Sequence, residues 1–199
     1  MLHQSIAYPR QRITFIMGCM ALFFSGTSQA ADGLVSFEGK ISSQTCKING
    51  LDKNANLTVA LPTVSASALA TAGDKAGATL FEFKLTECAN ATGTAYPLFE
   101  PGASIDGETG RLKNSISGPG LAKNVQVELL NEDRSPIDLS KGADAQNVKV
   151  ASLESKISGT PPITTGEATI KLYAQYVATG GAAVAGNINT TVQYAMVYE

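Results

Sequence analysis

Few residues in this chain have a type and spacing suited to chemistry. Histidine occurs once, at His3, and cysteine three times, at Cys19, Cys46 and Cys88. His3 and Cys19 fall in an N-terminal stretch that reads as a removable export leader, so the rest of the chain has no imidazole for proton transfer or zinc binding. Cys46 and Cys88, if oxidised to a disulfide, supply no thiolate nucleophile. Asp106 and Glu108, beside Gly107 and Gly110, are the carboxylates that could serve a glycosidase or a calcium site. A calcium loop orders more oxygen ligands than these two, so the pair reads as a solvated turn. Residues 180–186 are rich in glycine and alanine like a phosphate-cradling loop, yet Asn187 stands where such a loop needs lysine. Tryptophan is absent, and no aromatic platform for a sugar is evident. The expectation is a protein that is not an enzyme and uses no cofactor or metal.

The elements that position these residues begin after the leader. Arg10 and Arg12 precede an apolar run at 13–24, shorter than the roughly 20 residues that span a bilayer. Ser28-Gln29-Ala30 then offers small residues where a signal peptidase reads. A lipidated Cys19 is the competing reading, disfavoured by Met17 and by an apolar run that continues past the cysteine. The expected organisation is a signal peptide at 1–30, an N-terminal extension at 31–44 and one domain at 45–199. Removing thirty of 199 residues leaves 169, and with Arg10 and Arg12 gone 13 basic residues face 17 acidic ones, a net −4. The lysines are scattered among acids, so neither nucleic acid nor direct membrane insertion after leader removal is expected. Two cysteines in an exported chain imply one disulfide, with two free buried thiols as the alternative. Closing a loop of about 43 residues stabilises a fold by roughly 4 kcal/mol in the chain-entropy model.

Along the mature chain, short runs rich in Val, Ile, Thr, Phe and Tyr alternate with clusters of Gly, Asn, Asp, Ser and Pro, the pattern of an all-β sandwich. At 35–41, Val35, Phe37 and Ile41 alternate with Ser36, Glu38 and Lys40, which predicts a half-buried strand. Phe81, Phe83 and Leu85 define a second strand, and Val125, Val127 and Leu129, opposed by Gln126 and Glu128, a third. Ile170, Leu172, Ala174 and Tyr176 share one face of a strand at 168–176. Val192, Tyr194, Met196 and Tyr198 share one face of a last strand at 190–198. The segment 64–76 is predicted as a loop with a short helical turn, and 160–162, Thr-Pro-Pro, as a turn.

The two ends carry features that a self-contained domain does not need. Gly33, Val35, Phe37, Gly39 and Ile41, spaced two apart and followed by Cys46, resemble the N-terminal extension and first cysteine of type 1-like fimbrial subunits of the chaperone–usher family. Tyr198 is penultimate and Gly186 is fourteenth from the end, the pairing that marks that family's last strand. The resemblance implies an incomplete immunoglobulin-like sandwich lacking its seventh strand, with an acceptor groove beside the C-terminal strand carrying Gly186, Val192, Tyr194, Met196 and Tyr198. It implies a donor strand in which Val35, Phe37, Gly39 and Ile41 enter the groove of a neighbouring copy. It further implies a structural subunit of a surface fimbria supporting cell adhesion, exported through the periplasm, with other pilin subunits, a periplasmic chaperone and an outer-membrane usher as partners. A single-domain surface lectin or tip adhesin on the same scaffold is the alternative.

Overall fold

The computed structural model describes residues 35–41, 45–142 and 145–199, so the expected leader at 1–30 lies outside it. The chain divides into two units, Met1–Lys40 and Ile41–Glu199. In the first, residues 35–40 have no regular secondary structure, and Phe37 is 92% exposed. The strand expected over 35–41 is therefore not formed, and Val35 and Ile41 are exposed as well. Alternation makes a strand only where another chain segment takes its N–H and C=O groups, and none is assigned to this one.

Ile41–Glu199 is all-β, with ten strands among the described residues. Seven of them, β1 (Lys47–Ile48), β2 (Lys75–Cys88), β4 (Leu112–Lys113), β5 (Val125–Asn131), β6 (Pro136–Ile137), β8 (Glu154–Ser158) and β9 (Ile163–Ala178), form one antiparallel sheet. Its order is β1-β2-β9-β5-β4, with β6 on β5 and β8 on β9. The other sheet has the order β10-β3-β7, from Tyr194–Tyr198, Thr94–Phe99 and Ala151–Ser152. Between the sheets lies the larger of two cores, in which Phe83, Leu85, Ile170 and Leu172 meet Ala95 and Phe99. Apolar residues at every second position of β2 and β9 produce it, because only one face of each pleated strand can turn inward. The expected helical turn is a 3₁₀ turn at Ala66–Leu69, where the Ser65 hydroxyl accepts from the Ser67 N–H and Leu69 is buried.

Three findings depart from the sequence reading. All seven residues of β5 are buried, so Gln126 and Glu128 do not face solvent as the alternation predicted. Glu128 is enclosed by Lys75, Arg111 and Gln175, each bonded to its carboxylate. The last strand covers only Tyr194–Tyr198 and not 190–198, although the Glu100 N–H still reaches the Gln193 carbonyl. The third is β3, a strand with a proline inside it. Proline removes a ladder donor and is confined to edges, and here the odd residues of β3 face β7, whose pairing ends at Ala95. Pro97 thus points its missing N–H where no ladder continues. Two residues on, the Phe99 N–H and C=O both bond to the buried carboxamide of Gln146, a side chain standing in for a neighbouring strand.

Candidate functional site

A groove of about 990 Å³ runs beside the C-terminal segment. One lip is formed by residues 56–61, the other by 188–194, and the floor by Phe81, Phe83, Phe99, Val127, Leu129 and Tyr176. The floor is apolar because it is made of the inner faces of β2, β5 and β9 together with Phe99 of β3. A second chamber of about 310 Å³ adjoins it, bounded by Ile48, Leu51 and Met196, and the two share Asn56 and Tyr194. At that junction the Tyr194 hydroxyl donates to the Ala55 carbonyl at 2.7 Å, bridging the lips, while its ring packs on Phe83 at 4.7 Å. Tyr198, four residues on, receives a backbone hydrogen bond from Cys46. Burial pushes both phenols up, so both are protonated at neutral pH.

The polar side of the groove is its backbone. Glu199 exchanges N–H and C=O with Thr94, and the Gln193 carbonyl accepts from Glu100, so the odd residues of the last segment face β3. By strand geometry Tyr194, Met196 and Tyr198 turn their N–H and C=O groups the other way. That side of β10 is a sheet edge. An edge of this kind, bordered by an apolar trough, is a template for one more strand.

Of the residues singled out in the sequence, Val192, Tyr194, Met196 and Tyr198 come together, each half-buried against the core. Gly186 lies in an exposed bend outside the strand, pressed on another loop: a Cβ there would sit 2.5 Å from the Ala122 nitrogen and 2.6 Å from the Leu121 oxygen. Cys46 and Cys88 are joined in a disulfide. A Cβ built on Gly39 would meet nothing within 4 Å among the described residues. Asp106 is the turn residue expected: its Oδ1 accepts the N–H groups of Thr109 and Glu108, and these bonds hold its carboxyl below the usual range. The sequence reading missed the lip at 56–61, although Leu57, Val59 and Leu61 alternate there. It also missed Gln146, since a lone polar residue has no period to reveal it.

Residues 61–199 match the family described as type-1 fimbrial protein, A (FimA). The chain is 40% identical over 196 residues to the F17 fimbrial protein of Escherichia coli, covering 95% of this chain and 99% of that one. It is 37% identical over 171 residues to the major fimbrial subunit SMF-1 of Stenotrophomonas maltophilia, covering 86% and 95%. The crystal structure of the CupB6 tip adhesin from Pseudomonas aeruginosa superposes with a TM-score of 0.53 at 17% identity, over 76% of this chain and 38% of that one, a likeness of fold alone.

Proposed function

The chain belongs to the type-1 fimbrial protein family, and from that premise we propose that its copies join into a surface fimbria by exchanging strands. As a structural fimbrial subunit it assembles with other pilin subunits at the cell surface. In the proposed exchange, residues 31–44 of one copy form the donor extension and 45–199 of the next form the accepting domain, after a signal peptide at 1–30 is removed. The observation that carries this reading is the groove with an apolar floor beside the open edge of β10. Strand addition of this kind, known for chaperone–pilin donor-strand complementation, takes affinity from main-chain hydrogen bonds and specificity from pockets for alternate side chains. Val35, Phe37 and Ile41 supply apolar side chains at that spacing and are exposed in their own chain. Before assembly a periplasmic chaperone strand covers the same edge, and an outer-membrane usher directs the exchange.

Gly39 is the residue on which the reading is tested. Where a strand passes a narrow point its backbone needs a glycine, and in its own chain a Cβ on Gly39 would meet nothing within 4 Å among the described residues. Gly39→Leu should therefore leave folding and acceptance intact and block donation. Chaperone-bound Gly39→Leu subunit is mixed with wild-type peptide 31–44, and Gly39→Leu peptide with wild-type subunit. Normal uptake in the first mixture and none in the second is expected. Failure in both would place Gly39 in the fold itself and end the donor assignment.

A further inference from the structure

β1 and β9 both run antiparallel to β2, so both begin at the same end of the sheet. Pairing of β9 with β2 stops where Gly166 stands opposite Cys88, and residues 163–165 keep only β8 as a strand neighbour. The hairpin of β8 and β9 therefore projects past the sheet as a two-stranded ribbon, in register from Ser155 opposite Gly166 to Ser158 opposite Ile163. At about 3.3 Å per residue it reaches roughly 10 Å beyond the row that holds Cys88. Ile157 pairs with Thr164 and Ile163 with Ser158, which puts one isoleucine on each face, 71% and 61% exposed. A ribbon of two strands is marginal in water without a further layer against it. Isoleucines bare on both faces call for a surface that covers them.

Where the domain begins identifies that surface. Cys46 is bonded to Cys88 and the Thr45 carbonyl accepts from the Ala89 N–H, so the domain starts beside the foot of the ribbon, at the end from which the ribbon projects. Under the donor-strand reading, on which this rests, residues 31–44 seat in the next copy and Ile41 lies in its groove. The four residue steps from Ile41 to Thr45, even fully extended, reach only roughly 14 Å. A copy tethered that closely, at that end, meets a ribbon standing about 10 Å out from it. We propose that the ribbon packs against the copy that receives the extension and buries Ile157 and Ile163 there. Side chains make this contact, since Glu154 and Lys156 disfavour pairing along the edge of β8. The ribbon then sets the angle of one subunit on the next, which a single-chain tether leaves free.

The test compares release of a whole donor subunit with release of its extension alone. Chaperone-bound subunit is loaded either with labelled peptide 31–44 or with a labelled full-length donor whose own groove is already filled by unlabelled peptide. Both are chased with unlabelled peptide in dilute urea. Wild-type donor should leave more slowly than the peptide. A donor carrying Ile157→Thr and Ile163→Thr keeps the branched side chains that suit a strand and should leave about tenfold faster than wild-type donor, the effect of losing part of two buried isoleucines. The same substitutions in the accepting subunit should leave peptide release unchanged. A variant donor released at the wild-type rate, or a wild-type donor released as fast as the peptide, overturns the ribbon contact and spares the donor reading. Wild-type subunit that takes up neither peptide nor donor overturns both.

Discussion

Glu128 shows how a single buried charge is kept. Its side chain is 5% exposed, and Lys75 Nζ at 2.8 Å, Gln175 Nε2 at 2.7 Å and Arg111 Nε at 3.2 Å surround it. Burial works to raise its carboxyl, but the hydrogen bonds from Lys75 and Gln175 and the charges of Lys75 and Arg111 outweigh it and leave the group below its ordinary value. A carboxyl depressed in the folded state stabilises above its unfolded pKa of about 4.3, and that contribution is lost as pH falls through the lower folded value. Glu128→Gln should therefore lower stability at neutral pH by about 2 kcal/mol, the range for hydrogen bonds to a charged group. It should also flatten the loss of stability below about pH 4. Urea midpoints of the strand-complemented subunit from pH 3 to 7 would show both, and an unchanged acid slope would refute the assignment. None of this was visible in the sequence, where Glu128 occupies an outward position in an alternating run. Outward in a strand means solvent only if no loop lies over that face, and here the loop carrying Thr109 and Arg111 does.

At the scale of elements, Gly186 matters more than its place in an exposed bend suggests. Leu121 bridges Asn187 in parallel, and the Asn187 carbonyl accepts from Ala122, so two chain segments touch where only a glycine fits. The lip at 188–194 starts immediately after this contact. Gly186→Ala should cost about 1–3 kcal/mol through overpacking against backbone that cannot rotate away. The thermal midpoint should drop by about 5 °C, at the few degrees per kcal/mol usual for a domain of this size, and peptide uptake should weaken with it. A variant with unchanged midpoint and uptake would mean the loops separate at no cost. The elements legible in the sequence were those whose signal is local: β2, β5, β9 and the Tyr194–Tyr198 part of β10 all follow period-two alternation. β3 was hidden by Pro97, because its tolerance depends on where a different strand stops pairing. The predicted strand at 35–41 had the right pattern and no partner, and pattern alone does not supply one. Of the site, the inward wall of the last strand was readable, whereas the facing lip required knowing which segment the fold brings opposite it.

For the molecule as a whole, the disulfide and the two tyrosines act at the same margin. Cys46 is bonded to Cys88 at the end of β2 and meets Tyr198 through its backbone, while Tyr194 holds Ala55 a few residues further along. Reducing the disulfide should cost roughly 4 kcal/mol by the loop-entropy estimate, read as a lower urea midpoint. Uptake of peptide should fall in parallel, since the lip at 56–61 hangs from that anchor. Equal uptake by reduced and oxidised subunit would separate the anchor from the groove. The carboxamide of Gln146 has a consequence for growth. It caps β3 at Phe99, beyond the point where β7 stops pairing, and on the other sheet the exposed edge strand β8 carries Glu154 and Lys156, charges that discourage pairing. Under the proposed exchange each unit accepts once and donates once, which is bifunctional in the polymer chemist's sense, and bifunctional units make unbranched chains. A second receptive edge would raise the valence to three, and the product would be a gel rather than a thread.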